Sequence, residues 1–443
     1  MAKAKGSKKK SVKHPISIDH VARIEGKAGI EVSYTGKKVD VVQFNIFEGP
    51  RFFESITLGK PINEAVAVYP RICSFCAAAH KVTGVQAAEN AIALRPTEQT
   101  KKLREILYIG DFIESHALHL FLLALPDFLG YHDAFTLGEE HPDILRAGMA
   151  LKDIGADIQT ILGSRYIHQE NVLIGGFGKL PTKKQLETIA DRLKGIRNDA
   201  EEALENLVSY RNWPEVDAER IHLALKPYDD TYSMLGGTVQ STEGTSFRAD
   251  AYKMRISESV VPHSFAKHSH FNNEPFMTSA LSRFALFGDG LDGRAKELAE
   301  MYSAHLDPSN PMSNNFAQAV ELIYFVNRAE RMSRELASDL KPYERRIKPK
   351  IEKAGIGVSM SEAPRGLLAY TLKVDKNGKI TAADIITPTA MFLPMLEADL
   401  RRLAEALAEQ GVKDPETIGS KLETVVRAYD PCVSCSVHIA DIQ

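Results

Sequence analysis

The chain has 443 residues, of which 44% are hydrophobic and 26% are charged, a balance typical of globular proteins with enough apolar material for a large core. Its formal net charge of −3 does not indicate nucleic acid or an anionic membrane as a partner. No apolar run reaches the roughly 18 residues of a transmembrane helix, and no secretion signal is apparent, so we expect a cytoplasmic protein without a membrane span. Lysines at six of the first 13 positions predict a disordered basic tail over residues 1–15.

The first third of the chain combines a sheet with helices. Alternation of apolar and polar residues over residues 16–48 predicts a β-hairpin that turns near Gly36. Residues 77–93 are helical by propensity, and Thr97 is the predicted N-cap of a long helix over residues 98–125. Further helices are predicted at residues 142–161, 183–210, 291–304 and 314–339, with an irregular or β-containing segment at 226–260.

The pattern changes after Pro349. Two apolar runs, residues 367–374 and 380–386, flank an Asn-Gly turn and predict a second hairpin. Helices are predicted near residues 394–410 and 415–428. The fold class predicted from these elements is mainly α with small β-hairpins (α+β), built as a bundle of long helices. We divide it into an N-terminal hairpin region (residues 16–96), a helical body (97–345) and a C-terminal region (346–443) that together form one interlocked unit.

All four cysteines of the chain occur in two C-x-x-C pairs, Cys73 with Cys76 and Cys432 with Cys435. A structural zinc site is one interpretation, although zinc ribbons usually separate their halves by about 15–20 residues. Thioredoxin-like dithiol chemistry needs only one pair. We therefore favour convergence of the four thiolates on one buried, redox-active metal centre, since thiolates select soft metals such as nickel, iron, copper(I) or zinc.

Charged and polar residues accompany both pairs. His80 follows Cys76 by one helical turn, where its imidazole is placed to hydrogen-bond a bridging sulfur. Arg71 precedes the first pair, and Asp430 with Pro431 precedes the second. These residues favour a redox metal over a closed zinc site.

At this point the motifs resemble those of the nickel–iron hydrogenase large subunit over nearly the whole chain. The two signatures are R-x-C-x-x-C-x-x-x-H, beginning at Arg71, and D-P-C-x-x-C-x-x-H, beginning at Asp430. Other segments are closest to the α subunit of cytoplasmic NAD(P)-linked hydrogenases, also called sulfhydrogenases. The shared segments are residues 23–26 (RIEG), 114–119 (ESHALH), 167–171 (IHQEN), 175–177 (GGF), 264–270 (SFAKHSH), 362–366 (EAPRG) and 387–389 (TPT).

The resemblance implies a role for each cysteine. Cys73 and Cys432 would be terminal ligands of nickel, whereas Cys76 and Cys435 would bridge nickel to an iron that carries CO and cyanide. The terminal thiolate of Cys432 would act as the base that takes a proton from H2. The resemblance places Arg365 over the open metal position, where it and Thr389 would donate hydrogen bonds to the cyanides. Pro364 and Pro388 would line the iron pocket. His80 and Asp430 would lie in the layer around the metal ligands.

Glu25 is the residue that we predict to carry the proton away from the metal. A carboxylate beside a terminal thiol can accept its proton if burial raises the carboxyl pKa. The alternative for Glu25 is a surface carboxylate paired with Arg23. The resemblance also implies that Glu54 and His438 bind a second divalent ion, usually magnesium.

Three positions depart from the pattern of membrane-bound relatives. Phe392 replaces a common asparagine, Ser115 replaces an aspartate, and Tyr370 stands where many relatives have histidine. In the family an extension after the final histidine is removed once nickel is inserted, so residues 439–443 suggest the unprocessed form. The histidines at 263, 268 and 270 are interpreted as packing or interface residues.

Partners follow from the cysteine count. Four cysteines committed to one centre leave no thiolate for an iron–sulfur cluster in this chain. The resemblance implies a small iron–sulfur subunit, flavin- and NAD(P)-binding diaphorase subunits, a maturation protease and nickel-insertion proteins. The predicted function is the catalytic large subunit of a soluble hydrogenase that reversibly cleaves H2 and exchanges electrons with NAD(P) through its partners, with sulfur as a further expected acceptor. The alternatives are a metal-free subunit like that of respiratory complex I and a zinc-stabilised scaffold.

Overall fold

The computed structural model describes residues 13–209, 213–229 and 231–437, in which long helices lie between small antiparallel sheets. The helices are α1 (Phe53–Thr57), α2 (Ile62–Val68), α3 (Ala77–Ala91), α4 (Glu98–Ala117), α5 (Leu125–Leu129), α6 (Ala134–Glu140), α7 (Pro142–Gly163), α8 (Lys183–Gly195), α9 (Arg197–Val208), α10 (Ala280–Phe287), α11 (Gly293–Met301), α12 (Ser313–Asp339), α13 (Pro388–Glu409), α14 (Pro415–Ala428) and α15 (Val433–Ser436).

The strands form several small sheets. They are β1 (Lys13–Ile18), β2 (Ala28–Thr35), β3 (Lys38–Ile46), β4 (Val172–Leu173), β5 (Gly176–Phe177), β6 (Ile221–Pro227), β7 (Gly236–Ser241), β8 (Ser246–Arg248), β9 (Ile256–Ser259), β10 (His268–Phe271), β11 (Phe276–Met277), β12 (Gly355–Ala363), β13 (Gly366–Val374) and β14 (Ile380–Ile386). The strand orders are β1-β2-β3, β11-β6-β7-β8, β10-β9, β4-β5 and β12-β13-β14.

The N-terminal hairpin prediction is confirmed and extended. Strands β2 and β3 pair around Gly36, which adopts φ +69° in the turn. Strand β1 adds a third antiparallel strand, in which Lys13 pairs with Thr35. The disordered tail predicted over residues 1–15 is therefore wrong for residues 13–15, because their backbone groups complete the sheet ladder. Residues 1–12 lie outside the described part of the chain.

The long helix α4 starts as predicted. The Thr97 side chain accepts a hydrogen bond from the Thr100 amide, so Thr97 is the N-cap. The predicted single α-helix to residue 125 is wrong at its end, because the chain passes into a π-helix over Leu118–Ala124. Such wide turns occur often at functional positions, and here the π-helix carries the buried His119, whose two ring nitrogens contact Gln318 and the Arg427 carbonyl.

Two other helix boundaries differ from the prediction. The helix predicted over residues 183–210 is two helices, α8 and α9, which meet at Ile196. Helix α13 begins at Pro388 rather than near residue 394, because Pro388 occupies the first turn, where a missing N–H costs nothing. Pro394, which looks like a starting residue in the sequence, lies inside the helix.

The C-terminal hairpin prediction is confirmed. Strands β13 and β14 are joined by a turn at Asp375, whose carboxylate accepts hydrogen bonds from the Asn377 and Lys379 amides. Strand β12 adds an outer strand that packs on helix α3. The contact is close, since a Cβ at Gly357 would lie 1.9 Å from the Ala87 carbonyl oxygen. The segment predicted as β-containing at residues 226–260 includes strands β7 to β9, as expected.

The core is dominated by one large apolar cluster that contains all four cysteines. Within the described residues, one helical stretch, Glu98–Leu129, is long and apolar enough to cross a membrane by length and composition. In the structure, 83% of its most apolar window is buried inside the protein. The packing therefore accounts for its apolar character, since the core helix of a folded domain has the same composition.

Candidate metal centre

The first C-x-x-C segment, residues 71–76, is called the first arm. It begins in the second half of a 3-10 turn over Tyr69–Ile72 and continues directly into helix α3. The Cys76 carbonyl accepts a hydrogen bond from the His80 amide at 3.1 Å. Helix α3 is buried along most of its length. The position of Cys73 and Cys76 is thus set by a local turn and an immobilised helix.

The second C-x-x-C segment, residues 430–436, is called the second arm. Its backbone is held by groups that are remote in sequence. The Cys432 amide donates to Thr389 Oγ1 at 3.0 Å, and the Val433 amide donates to the Glu25 carbonyl at 2.9 Å. The Ser434 amide donates to Glu25 Oε2 at 2.9 Å. This arm therefore depends on the RIEG segment and on the start of helix α13.

Arg51, which the sequence did not single out, connects the two arms, and Gly26 allows the close approach of the RIEG segment to the second arm. One Arg51 nitrogen, Nη2, donates to the Ile72 carbonyl in the first arm and to the Ser434 carbonyl in the second, each at 2.5 Å. Gly26 lies against the second arm with φ +91°, and a Cβ there would lie 2.7 Å from Val433 Cβ. Glycine is thus required both by the backbone conformation and by the close approach.

The four sulfurs meet in one buried cluster, with all Sγ atoms within 4.8 Å of one another. Cys73 Sγ lies 3.0 Å from Cys432 Sγ, and Cys76 Sγ lies 3.2 Å from Cys435 Sγ. The sulfurs within the second arm, those of Cys432 and Cys435, are 2.9 Å apart. A regular tetrahedral zinc site with 2.3 Å bonds would separate its sulfurs by about 3.8 Å, so these three pairs of sulfurs lie closer together than those of a zinc tetrathiolate.

The electrostatics of the cluster favour a bound cation once the thiols are ionised. Burial raises the pKa of Cys432 and Cys435 well above the ordinary thiol value. Burial acts in the same direction on Cys73, but hydrogen bonds from the neighbouring thiols and the Arg365 charge lower its pKa overall. Four thiolates cannot share a dry pocket without compensating positive charge. The donor set therefore fits a bound soft metal, whose binding would displace the thiol protons.

Arg365 is buried beside the sulfurs and fixed by the second arm. Its Nε donates to the Asp430 carbonyl and its Nη2 to Asp430 Oδ1, both at 2.9 Å. Its Nη1 donates to Ser115 Oγ at 3.1 Å. The nearby carboxylate of Asp430 and the cysteine sulfurs outweigh burial and raise the guanidinium pKa. Ser115, which stands where membrane-bound relatives have an aspartate, therefore still contacts Arg365, but through a neutral hydroxyl.

The conformation of Asp430 supports this arrangement. Its backbone adopts φ +51°, an unusual value for a non-glycine residue. Its second carboxylate oxygen accepts from Gln318 Nε2 at 3.1 Å. On the other side, Arg283 donates to the Pro364 carbonyl at 3.0 Å. Arg365 is thus held through its side chain by Asp430 and through its neighbouring backbone by Arg283.

His80, Tyr370 and Phe392 lie in the surrounding layer. The His80 Nδ1 contacts the Tyr370 hydroxyl at 2.7 Å, and burial lowers the His80 pKa to about 4. The imidazole is therefore neutral at pH 7, and its predicted contact with a bridging sulfur stays a prediction. Phe392 is buried against the Tyr429 ring, with ring centroids 5.3 Å apart. Pro364 and Pro388 are buried, as a dry pocket requires.

Glu25 lies against the Cys432 thiol. Its Oε2 is 3.3 Å from Cys432 Sγ, and its Oε1 accepts from the Ser434 hydroxyl. Burial raises the pKa of this carboxyl, with the Cys73 charge acting in the same direction. The alternative pairing with Arg23 is not observed, because Arg23 pairs with Asp127 instead. Ser434 is a further contact that the C-x-x-C pattern alone did not reveal.

Glu54 is buried beneath strand β14. Its Oε1 accepts from the Ile385 amide at 2.6 Å, whereas its Oε2 is buried without a hydrogen-bond partner. Burial raises its pKa to about 7. A buried carboxylate oxygen without a partner fits a divalent cation as its missing neighbour. His438, the other predicted ligand, lies outside the described residues.

Known proteins with this arrangement can now be compared. A family model described as nickel-dependent hydrogenase matches residues 51–147 and 250–438, which include both arms. The α subunit of sulfhydrogenase 1 from Pyrococcus furiosus is 48% identical over 428 residues, covering 96% of this chain and 98% of that protein. The chain belongs to the nickel-dependent hydrogenase family.

Other relatives of this hydrogenase subunit agree. The α subunit of sulfhydrogenase 2 from the same organism is 35% identical, covering 96% of this chain and all of that protein. A crystal structure of an NAD+-reducing nickel–iron hydrogenase in the H2-reduced state has a TM-score of 0.86 at 21% identity, covering 96% of this chain and 99% of that one. At that identity the structural match establishes the fold, and it confirms the predicted fold class.

The family assignment also decides between the functional alternatives. The chain is the catalytic large subunit of a nickel–iron hydrogenase, an oxidoreductase, and its four cysteines form a metal-binding arrangement. A metal-free complex-I-like subunit and a zinc scaffold are not favoured. The predicted likeness to sulfhydrogenase α subunits is confirmed.

Proposed function

We propose that Cys73 and Cys432 bind nickel as terminal ligands and that Cys76 and Cys435 are shared between nickel and iron. The single observation that carries this assignment is the buried cluster of four sulfurs. In it the sulfurs pair across the two arms, the first cysteine of each arm at 3.0 Å and the second at 3.2 Å. When bound, the nickel–iron centre supplies the electrophile that polarises H2 and accepts its two electrons. The overall reaction converts one H2 into two protons and two electrons, reversibly.

The protein's own residues move the proton. The Cys432 thiolate would take one proton from H2 and then pass it from Sγ to Glu25 Oε2, across 3.3 Å. The raised pKa of Glu25 suits this step, because a carboxylate that stays ionised too readily would not retain a proton long enough to relay it. Ser434 orients the carboxylate through its amide and its hydroxyl. Glu25 is only partly buried, so it connects the sulfur cluster with the protein surface.

Arg365 and Thr389 prepare the pocket for the diatomic ligands of iron. Arg365 provides a permanent positive charge that Asp430 and Ser115 hold in place. Thr389 accepts the Cys432 amide through its oxygen, which leaves its own hydroxyl proton free to be donated to a cyanide. Such prepositioned donors require no reorganisation during the reaction. The buried Pro364 and Pro388 contribute apolar surface that excludes water.

A second cation near the centre is part of the proposal. The partnerless Glu54 Oε2 supports a divalent ion, magnesium by the oxygen chemistry of the site, with His438 as a further ligand. Such an ion would tie Glu54, which contacts strand β14, to the residues that follow the second arm.

The electrons leave through other subunits. All four cysteines of the chain lie in the sulfur cluster, so none remains to bind an iron–sulfur cluster. The relatives are named as α subunits of sulfhydrogenases, and a structural neighbour is named as NAD+-reducing. The name of an α subunit supports partner subunits, and the name NAD+-reducing supports a nicotinamide acceptor; the proposed partners are a small iron–sulfur subunit and flavin- and NAD(P)-binding diaphorase subunits, and the proposed location is the cytoplasm. Sulfur reduction and help from a maturation protease and nickel-insertion proteins belong to the same proposal.

Replacement of Glu25 tests the proton route. Glu25→Gln retains the size of the side chain and a carbonyl that can accept one of the two Ser434 contacts, but it cannot relay a proton. We expect the purified complex to keep its nickel and iron content while H2/D+ exchange falls by a factor of about 100 or more, within the range of positioned general bases. Exchange is measured by mass spectrometry and the metals by elemental analysis.

The matched control is Glu31→Gln, which removes an exposed carboxylate from strand β2 in the same sheet region. That variant should exchange at the wild-type rate. Undiminished exchange in a fully metallated Glu25→Gln enzyme would remove Glu25 from the proton route.

A further inference from the structure

A second cluster of metal-ligating side chains lies away from the sulfurs. It consists of His263, His268 and Glu397, whose ligand atoms all lie within 4.8 Å of one another. Glu397 is on helix α13, His268 begins strand β10, and His263 lies in the loop before that strand. From the sequence alone, both histidines are interpreted as packing or interface residues.

Ordinary hydrogen bonding accounts for His263 but not for His268. The His263 Nε2 lies 2.8 Å from Glu397 Oε1, a normal hydrogen bond. The His268 Nδ1 lies 3.9 Å from Glu397 Oε2, which is too long for one. The other nitrogen of His268, Nε2, has no hydrogen-bond partner, and the residue is only 4% exposed, so water does not replace one. A polar ring buried in this way calls for another ligand.

The spacing fits a single ion. In a tetrahedral zinc site with bonds of about 2.0–2.1 Å, neighbouring ligand atoms are about 3.4 Å apart. The distances of 2.8 and 3.9 Å, one to each oxygen of Glu397, lie on either side of that value, and all three ligand atoms lie within 4.8 Å of one another, so side-chain adjustments would bring the three groups to one ion. Two histidines and one glutamate form a known zinc ligand set that leaves a fourth position open.

The charges and the exposure are also suitable. The side chains of His263 and Glu397 are 16% and 18% exposed, which gives an ion a path from solvent. The Glu397 carboxylate supplies the negative charge that a divalent cation needs.

We propose that His263, His268 and Glu397 bind one divalent transition-metal ion, zinc by the ligand set, as a structural site separate from the sulfur cluster. Three segments meet there. The Phe44 amide of strand β3 donates to Glu397 Oε1 at 2.9 Å, and the Phe265 amide donates to the Ile46 carbonyl at 2.9 Å. An ion at this point joins the N-terminal sheet, the loop before β10 and helix α13.

The site has a structural connection to the catalytic centre. Glu397 and Thr389 lie on the same helix, eight residues apart, which corresponds to about 12 Å along the helix axis. Thr389 accepts the Cys432 amide. The ion therefore acts as a clamp on the helix that supports the second arm, without touching the reacting atoms.

Zinc content of the whole hydrogenase complex tests the proposal. The wild-type complex and the variants His263→Ala and Glu397→Gln are equilibrated with zinc chloride, desalted and measured for zinc and nickel. We expect the wild type to retain one zinc per large subunit more than either variant, with equal nickel in all samples. The control His270→Asn replaces a histidine on the same strand that is not in the cluster, and it should retain zinc like the wild type.

Equal zinc in the wild type and the two variants would overturn the proposal, as would loss of zinc in the control alone. A second measurement does not depend on how the variants fold. Crystals of the wild-type complex equilibrated with zinc should show an anomalous peak between the three side chains at the zinc absorption edge. A map without that peak would equally reject the site.

Discussion

The two arms of the sulfur cluster contain the same C-x-x-C spacing but are held in different ways. The first arm continues into helix α3, so its geometry is set by neighbours in sequence. The second arm is held by Glu25, Arg51 and Thr389, which are remote in sequence. Glu25 is 409 residues away from Ser434, to which it is hydrogen-bonded. One half of the centre is therefore preformed by a local helix, whereas the other forms only when remote segments have packed.

The largest expected effect comes from crowding the second arm. Gly26→Ala would place a Cβ 2.7 Å from Val433 Cβ, so the arm must move away from the first one. We expect nearly complete loss of nickel and of H2 oxidation, because four sulfurs can no longer share the metals. Elemental analysis and an H2-dependent dye-reduction assay measure the two effects.

Gly36→Ala is the matched control, since Gly36 also has a positive φ but a Cβ there meets nothing within 4 Å. This substitution should lower the free energy of unfolding by only about 1–2 kcal/mol, the cost of a left-handed backbone at a non-glycine residue, and the variant should retain nickel. Full nickel content in Gly26→Ala would show that the second arm tolerates displacement.

Arg51→Met should weaken the connection between the arms. Its Nη2 serves one carbonyl in each arm, and a hydrogen bond from a charged donor contributes about 1.5–3 kcal/mol. We expect a lower unfolding temperature and partial loss of nickel, measured by differential scanning fluorimetry and elemental analysis. Arg71→Met removes a more exposed arginine that contacts Glu170 and the Ala67 carbonyl, and its effect should be small. Equal effects of the two substitutions would contradict the connecting role of Arg51.

Thr389→Val should affect the second arm alone. It leaves the buried Cys432 amide without its acceptor, at a cost of about 1–3 kcal/mol. The stability loss is measured as a shift of the unfolding midpoint, together with a change of the cyanide stretching bands in the infrared spectrum. Thr389→Ser retains the hydroxyl and should restore both properties. Unchanged infrared bands in Thr389→Val would argue against the proposed donation to cyanide.

The smallest effect should appear at Glu114 on helix α4, whose carboxylate accepts hydrogen bonds from Gln159 and Tyr166. Burial raises the Glu114 pKa from its ordinary value of 4.5 to about 7, so the folded protein binds more protons than the unfolded chain between these values. The stability contribution of Glu114 therefore decreases as pH rises from about 4.5 to about 7 and changes little above that. Glu114→Gln should make the slope of unfolding temperature against pH more positive over this interval, because it removes a contribution that falls with rising pH, whatever its effect on the absolute midpoint. An identical slope in the variant would reject the shifted pKa.

The sequence was most informative where chemistry needs particular residue types at fixed spacing. The cysteine pairs and the RIEG segment indicated the metal centre, and the Asn-Gly turn indicated the C-terminal hairpin, which the structure confirms. The N-cap Thr97 was predicted for the same reason, since a local hydrogen bond defines it. Patterns of this kind depend on neighbours within a few residues.

The sequence was less informative where a role depends on distant segments. Arg51 and Ser434 look like ordinary polar residues until folding places them beside the opposite arm and Glu25. The π-helix after Ala117 has no local signal, because it follows from the packing of a buried histidine against α12 and Arg427. The His263 and His268 pair is likewise incomplete without Glu397, which lies more than 120 residues further along the chain.

The distance in sequence between Glu25 and Ser434 has a consequence for the order of folding. Closing a loop of 409 residues costs conformational entropy that is regained only when the intervening body has packed. The first pair of thiols can be oriented early by its own helix, but a complete four-sulfur set exists only at the end of folding. The ability to retain metal thus reports on completion of the tertiary structure.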